Sequence, residues 1–354
     1  MSSKVSVMDC LLCGVNKATK SNTHYLTDAI IRTALNVGGA NSRGTGLYWK
    51  FSTEEAGLKF GFQQATFDLK LEATLGRPPT DEEIDEARRK TAFSVDNHFC
   101  PSCEELFTTI ETLFIDQILP LFRESDLTGK SEVNTESVRI VRAFFLTQVL
   151  RSALCDEIFT LTEEVLKDLK DIVLNSQTID LSRVTKYPLS VTYLQTIGGP
   201  AAYTENQVGY AVNEESQIIL MNDFVIQFFV SQQDVKCVDF NGLNDTSDFE
   251  KYMNVDERVF EFKILNNDQR LAFLNPGWEA FSDRLIAYFQ AKHMGRFNQF
   301  ASPKMVAYFM TSLADESADI PDGVRYGEER LEVIANTILD RIALETARHR
   351  HWHR

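Results

Sequence analysis

Apolar residues recur every three to four positions along much of the N-terminal half of the chain, and this spacing predicts amphipathic helices. The break Gly-Arg-Pro-Pro-Thr at 76–80 separates two of them, and Thr80 with the acidic residues after it is typical of a helix start. Helices are predicted over residues 26–35, 53–75, 80–90, 104–121, 137–154 and 160–174.

The pattern changes near residue 185, where β-branched and aromatic residues become frequent. Turn signals at 198–200 and 213–215 divide this part, which is typical of short strands joined by tight connections. Strands are predicted over Leu189–Ile197, Gly209–Val212, Gln217–Val230 and Arg258–Leu265. Helical spacing returns over Pro276–Gln290, Pro303–Leu313 and Gly327–Ala347. The chain is therefore predicted to be a helix-rich α+β protein, whose C-terminal part holds a small antiparallel sheet flanked by helices.

Two short cysteine pairs stand out against this background. Cys10-Leu-Leu-Cys13 is followed by Gly14, and Cys100-Pro-Ser-Cys103 is followed by Glu104. One C-x-x-C pair can present two thiolates to a metal ion, and two pairs complete a tetrahedral Cys₄ set. Sulfur ligands favour Zn²⁺ over harder ions, so the sequence predicts a structural zinc site. The alternative is four unconnected thiols, but four of only six cysteines have this spacing.

The second pair leads directly into the predicted helix 104–121, and a knuckle that ends in a helix N-terminus is the plan of a treble-clef zinc finger. The helix dipole at that end also favours the thiolate over the thiol. We therefore predict three regions. They are a zinc-binding domain at 1–122 with a helical insert at 51–95, a helical region at 123–184 and an α+β region at 185–354.

The amino-acid composition bears on the class of partner and on the cellular compartment. The 354 residues carry a formal net charge of −15, which repels nucleic acid backbones unless a basic patch is present, and Arg88-Arg89-Lys90 is a thin candidate for one. The charge therefore favours protein partners. The cysteine usage is typical of a reducing compartment, with Cys155 and Cys237 as buried apolar residues. We find no signal peptide and no apolar run that could span a membrane, so a cytoplasmic protein is expected.

One resemblance depends on the first cysteine pair, on Ser21-Asn22-Thr23-His24-Tyr25 and on the second pair with Glu104. This series resembles a group of bacterial zinc-binding proteins that have a C-x-x-C-G knuckle, a Ser-His-Ile-Ile-Pro-type motif and a later C-x-x-C-E knuckle. The group is in turn similar to HNH endonucleases with a treble-clef core. The stretches Phe107–Glu111 and Val141–Ser152 also match, so the resemblance covers about the first 155 residues.

The resemblance implies a metal-dependent nuclease, such as the effector of a bacterial anti-phage system. His24 matches the general base, which activates water against a phosphodiester. The HNH pattern needs an Asn or His on the helix after the second knuckle, and here the candidates for holding Mg²⁺ or Mn²⁺ are Glu104 and Glu111. The Pro of the motif is also missing, because Tyr25-Leu26-Thr27 follows the His.

Two other functions stay open at this point. The protein could be a non-catalytic subunit of a defence complex, in which the zinc site organises a protein-binding surface and His24 has a structural role. A third hypothesis assigns phosphate binding to the glycine-rich loop Gly38–Gly46, although this loop lacks the Gly-Lys-Ser/Thr ending of a P-loop. Convergence of His24 and a carboxylate in an open cleft would favour the nuclease.

Overall fold

The computed structural model describes residues 8–35, 47–52, 57–62, 77–78, 80, 83, 93–195, 208–212, 216–231, 243, 249–314 and 328–352. The helices are α1 (Asp28–Leu35), α2 (Pro101–Gln117), α3 (Pro120–Arg123), α4 (Val138–Cys155), α5 (Glu163–Leu174), α6 (Leu181–Val184), α7 (Asn267–Phe297), α8 (Pro303–Leu313) and α9 (Glu328–Trp352). The strands are β1 (Thr23–His24), β2 (Leu47–Ser52), β3 (Gly57–Phe62), β4 (Ser94–Val95), β5 (Glu132–Thr135), β6 (Leu189–Leu194), β7 (Val208–Val212), β8 (Ser216–Met221), β9 (Phe224–Phe229) and β10 (Phe260–Leu265). The predicted α+β class is confirmed.

The strands form two sheets. Strands β1 and β4 pair antiparallel as a small ladder next to the cysteines. The other eight form one sheet in the order β3-β2-β7-β8-β9-β6-β10-β5. Its centre is the antiparallel sheet expected from the sequence, and the pairs β2–β7 and β6–β10 are parallel. The sheet is thus larger than the C-terminal strands alone, because β2, β3 and β5 add to it.

Apolar residues cover both faces of the large sheet, as the alternation of strand side chains requires. On one face, the Phe122 ring of α3 lies 4.8 Å from Tyr193, 5.3 Å from Phe224 and 4.8 Å from Phe262. This face belongs to the main core, which extends from Cys10 to Ile264. The opposite face packs against the start of α7. Its residues are Leu194, Ala211, Ile218, Leu220, Val225, Leu265, Phe273 and Leu274.

The helix predicted over residues 53–75 is wrong at residues 57–62, which form strand β3 paired with β2. The physical reason is that apolar residues occur at every second position of this segment. Apolar Leu58, Phe60 and Phe62 alternate with Gly57, Lys59 and Gly61, and such alternation fits a strand. The insert at 51–95 is therefore not purely helical. The rest of that helix, most of the predicted helix 80–90 and the loop Gly38–Gly46 lie outside the described residues.

The predicted strand Gln217–Val230 is a hairpin instead. Asn222 and Asp223 form its turn, and Asn222 has a φ of 59°, which Asn tolerates. Helix α7 also starts earlier than predicted, because the capping box of Asn266 and Gln269 begins the helix at Asn267, nine residues before Pro276. Helix α8 has the predicted limits, with Ser302 as its N-cap and Pro303 in its first turn.

The C-terminal helices form a bundle with a separate core. The second half of α7 packs with α8 and α9, and the rings of Phe289 and Phe309 stack with centroids 4.5 Å apart. The bundle is connected to the sheet through α7, whose first half contacts the sheet. The predicted domain limits at residues 122 and 184 stay predictions, although β2, β3 and β5 join the sheet from regions on the N-terminal side of residue 185.

Candidate metal centre

Four cysteines from two distant segments meet at one point. One sulfur from each of Cys10, Cys13, Cys100 and Cys103 lies within 4.8 Å of the other three. Among the residues that the structure describes, they form the one group of three or more His, Cys, Asp or Glu ligand atoms that lie this close together. The sequence spacing therefore predicted the assembly of all four.

The first knuckle is shaped by its backbone. The N–H of Gly14 donates to the Cys10 carbonyl at 2.8 Å, and the N–H of Cys10 donates to the Asn16 carbonyl at 2.8 Å. Gly14 has a φ of +66°, a left-handed conformation that other residues rarely adopt, so Gly follows the second cysteine for a steric reason. The Asn16 side-chain amide also donates to Cys100 Sγ at 3.7 Å, which connects the first knuckle to the second.

Backbone bonds hold the two knuckles together. The N–H of Leu11 donates to the His98 carbonyl at 2.9 Å, and the N–H of Lys20 donates to the Phe99 carbonyl at 3.2 Å. The β1–β4 ladder continues this contact. Helix α2 then begins at its N-cap Cys100, so Cys103 lies in its first turn. The positive end of the helix dipole favours negative charge on these sulfurs.

The thiols lie in an environment suited to a cation. Burial raises the pKa of Cys10 and Cys103. Burial acts on Cys13 in the same direction, but the backbone N–H groups of Asn16 and Val15 outweigh it and lower the pKa of Cys13 to about 7. A bound metal would displace the remaining protons, since it is the thiolate that coordinates.

The spacing of the sulfurs fits a tetrahedral ion. Zinc–sulfur bonds of about 2.3 Å place the sulfurs of a tetrahedron about 3.8 Å apart. Cys13 Sγ and Cys100 Sγ are 3.9 Å apart, close to that value. The four cysteines could therefore hold a metal such as zinc.

His24 lies on β1, where its Nε2 is 3.7 Å from Asp28 Oδ1. Its neighbour Thr23 hydrogen-bonds to Glu104. The structure thus places His24 beside Asp28 and Thr23 beside Glu104.

The Glu104 carboxylate is partly buried beside α4. Burial raises its pKa, while the nearby charges of Arg151 and Lys20 act in the opposite direction. Its Oε1 is buried and has no hydrogen-bond partner among the described residues. Glu104 is therefore a partly buried carboxylate within the electrostatic influence of Arg151.

Glu111, two helical turns after Glu104 on α2, is bound through one carboxylate oxygen. Its Oε1 accepts a hydrogen bond from Arg151 Nη1 at 2.6 Å and one from Thr27 Oγ1 at 3.0 Å. Arg151 is 3% exposed, and its guanidinium lies 4.6 Å from the centre of the Phe107 ring. The carboxylate thus joins α2 to α4 and to the segment before α1.

Helix α4 supplies most of the polar contacts that the motifs did not reveal. Gln148 Oε1 accepts the N–H of Thr27 at 3.0 Å, and the Tyr25 hydroxyl donates to Asp156 Oδ2 at 2.8 Å just beyond the helix. A signal was present in the sequence, because Gln148 and Arg151 are three residues apart on a helix that is rich in apolar residues. Buried polar side chains need partners, so this spacing indicates a shared polar contact.

Comparisons with protein-family models, with curated proteins and with solved structures find no match to this chain. No helix among the described residues is long and apolar enough to cross a membrane. The arguments about function therefore come from the cysteine cluster and its surroundings.

Proposed function

We propose that the four cysteines bind one structural zinc ion in a treble-clef arrangement, and that the protein is a non-catalytic interaction subunit. The knuckle at Cys10–Cys13, the β1–β4 ladder and helix α2 follow each other in the order of a treble clef. Zinc would hold the segment before β1 against the start of α2, and these elements pack on α4 and the main core. The ion would then stabilise the whole N-terminal half.

The hydrogen bonds of the Glu111 carboxylate are the main support for this proposal. A carboxylate that holds a catalytic Mg²⁺ must offer its oxygens to the ion and to the water around it. Glu111 instead shares Oε1 between Arg151 and Thr27, and the positive guanidinium would repel a second cation. His24 lies beside Asp28. The geometry therefore supports a structural centre better than a two-metal or metal-and-base catalytic site.

An interaction role fits the charge of the chain. The net charge of −15 disfavours nucleic acid and favours protein partners with basic surfaces. The resemblance to defence-associated zinc proteins suggests a partner encoded in the same system.

Metal content and activity together test this proposal. The purified protein should contain one zinc per chain and no nuclease activity on plasmid, single-stranded DNA or RNA with Mg²⁺ or Mn²⁺. Cys13→Ser should lose zinc and solubility, because structural zinc contributes about 10 kcal/mol or more to small zinc motifs. A well-folded protein without zinc would contradict the proposal.

One observation favours the nuclease as a second candidate. His24 Nε2 lies 3.7 Å from Asp28 Oδ1, and a carboxylate at this position could orient the imidazole as a general base. In that case Asp28, four residues after His24, would be a positioning residue for the general base, and the glutamates would keep the metal-binding role that the motif assigned to them.

His24→Ala separates the two candidates. If the protein is a nuclease, His24→Ala should lower its activity about 10²-fold or more and leave its zinc content unchanged. Asp28→Asn would lower activity, because His24 would lose the carboxylate that orients it. Asp116→Asn, at an exposed position of α2, serves as the control. If the wild type has no activity with any substrate and ion, the nuclease is excluded.

A further inference from the structure

The four cysteines of the metal centre differ in their access to solvent. Cys10, Cys100 and Cys103 are 1%, 0% and 5% exposed, whereas Cys13 is partly exposed. Gly14, the next residue, lies at the surface, and a Cβ placed on it would meet no atom of the described residues within 4 Å. The described part of the chain therefore leaves the space beside Cys13 open, and Cys13 Sγ is the sulfur that a small molecule reaches most readily.

Cys13 also lies next to a cysteine of the other knuckle. Its Sγ is 3.9 Å from Cys100 Sγ, and the two residues are 87 positions apart in the sequence. The side-chain amide of Asn16 donates to Cys100 Sγ at 3.7 Å and so helps to fix the position of that sulfur. A disulfide bond is about 2.05 Å long, so a movement of roughly 2 Å would bring the two sulfurs to bonding distance. The most accessible sulfur thus has a disulfide partner within reach on the second knuckle.

The two knuckles are held together by backbone contacts as well as by their sulfurs. The N–H of Leu11 donates to the His98 carbonyl at 2.9 Å, and the N–H of Asn97 donates to the Lys20 carbonyl at 2.6 Å. The β1–β4 ladder adds to these contacts. None of these bonds involves a cysteine sulfur, so they keep the two knuckles aligned while the bonds between the sulfurs change.

We propose that the metal centre is a redox switch, in which a peroxide joins Cys13 to Cys100 in a disulfide and the zinc ion leaves. This inference rests on the zinc site proposed above. It adds that one ligand of the site is open to a small oxidant and that a second ligand is placed to react with it. The chemistry uses only these two side chains and the peroxide.

The reaction balances in two steps. In the first, the thiolate sulfur of Cys13 attacks one oxygen of hydrogen peroxide, an S–O bond forms and the O–O bond breaks. In the second, the thiolate sulfur of Cys100 attacks Cys13 Sγ, an S–S bond forms and the S–O bond breaks. Each step expels a hydroxide ion, which takes up a proton to become water. The two sulfurs together lose two electrons, and the peroxide gains them.

The disulfide takes over the cross-link that the zinc ion provides. Cys10 and Cys103 alone complete only half of a tetrahedral set, so they return to free thiols and the ion is lost. The Cys13–Cys100 bond still connects the segment before β1 to the start of α2, and a cross-link between distant residues stabilises a fold. The oxidised chain therefore stays folded without zinc, unlike a variant that lacks one of the cysteines. A dithiol reductant reverses the reaction and restores the four ligands.

Peroxide treatment of the zinc-loaded full chain tests this proposal. The protein is purified under reducing conditions, its zinc content is measured, and an excess of hydrogen peroxide is added. We expect one zinc ion per chain to be released to a colorimetric chelator, with an unchanged far-UV circular dichroism spectrum. Peptide mass spectrometry should find a Cys13–Cys100 disulfide, and reductant with added zinc should restore the original zinc content. Cys155→Ser, outside the cluster, is the control and should behave as wild type.

Limited alkylation tests the access of the sulfurs separately. A short exposure of the zinc-loaded protein to iodoacetamide should modify Cys13 about tenfold or more faster than Cys10, Cys100 or Cys103. Equal modification of the four cysteines would overturn the proposal. So would zinc that stays bound in peroxide, a disulfide within one C-x-x-C pair, oxidation without any disulfide, or loss of the folded spectrum. A chain that holds no zinc before peroxide is added would contradict the zinc site itself, and the switch with it.

Discussion

The contact between Arg151 and Glu111 joins the metal centre to α4, and its removal should have a measurable cost. Arg151→Met keeps most of the apolar length of the side chain and removes the cation. Glu111 would then lose its counter-charge at 2.6 Å, and Phe107 would lose the guanidinium 4.6 Å from its ring. Glu104 would lose a charge that opposes the effect of its burial.

The magnitude follows from the exposure of the two partners. Breaking a fully buried ion pair by removing one member costs about 3–5 kcal/mol, and a cation–π contact contributes about 0.5–2 kcal/mol. The Glu111 side chain is 22% exposed, so water partly replaces the lost partner. We therefore expect the free energy of unfolding to fall by about 3 kcal/mol at pH 7.

The effect should depend on pH. The pKa of Glu104 is raised by burial, and removal of Arg151 raises it further. A carboxyl whose pKa is higher in the folded state stabilises the protein at low pH and loses this contribution as the pH rises through that pKa. The loss caused by Arg151→Met should therefore be larger at pH 8 than at pH 5.

The assay is urea denaturation of the zinc-loaded protein at both pH values, in a cycle of Arg151→Met, Glu111→Gln and the double variant. The coupling energy should be at least about 1.5 kcal/mol. Arg183→Met is the matched control, because Arg183 lies at the surface and Asp168 keeps Lys186 as a second cation, so the loss should be much smaller. A coupling energy near zero, or equal losses at pH 5 and pH 8, would refute the reasoning.

Three further predictions concern the metal and the core. Cys103→Ser should remove zinc and abolish the cooperative unfolding transition, as measured by metal analysis and circular dichroism, whereas Cys155→Ser outside the cluster should keep both. Zinc affinity should fall from pH 8 to pH 6 in a chelator competition, because burial raises the pKa of Cys10 and Cys103 and the ion must displace their protons; equal affinities would contradict this. Arg142→Met should lower the free energy of unfolding by about 3 kcal/mol, because three buried carbonyl oxygens lose their donor, and an unchanged urea midpoint would exclude that role.

Features with a short-range cause could be predicted from the sequence. The two cysteine pairs form from residues three apart, so their spacing alone indicated a shared metal. The limits of α8 follow from Ser302 and Pro303, which cap and start a helix whatever surrounds them. The helix predicted over 104–121 is present as α2, although it spans Pro101–Gln117 and the short helix α3 follows over Pro120–Arg123.

Features for which the local sequence signals compete were harder to predict. Residues 57–62 carry apolar positions compatible with more than one period, and pairing with β2 selects the strand. Asn222 and Asp223 interrupt an apolar run and form a turn, but this turn is fully buried. Turns are usually exposed, so two polar residues inside an apolar run did not indicate one clearly. Pro276 is typical of a helix start, yet the cap at Asn266 begins α7 earlier.

The surroundings of the candidate site depend on contacts between distant parts of the chain. Arg151 lies 40 positions after Glu111, and no local pattern connects them. The motif placed His24 and Glu104 in one constellation because they flank the cysteines, and this stays a prediction; the contact of Thr23 with Glu104 was not predicted. Which side chains share a site was therefore determined by tertiary packing.

Helix α7 belongs to two cores at once, and this has a consequence for cooperativity. Its first half packs on the sheet through Phe273 and Leu274, and its second half packs in the bundle through Phe281 and Leu285. Pro276 lies between them, where it lacks an N–H and crowds the preceding turn, so the helical ladder is weakest at this boundary. Melting that begins at the C-terminus can stop there. We therefore expect the bundle to unfold locally while the sheet and the metal centre stay folded.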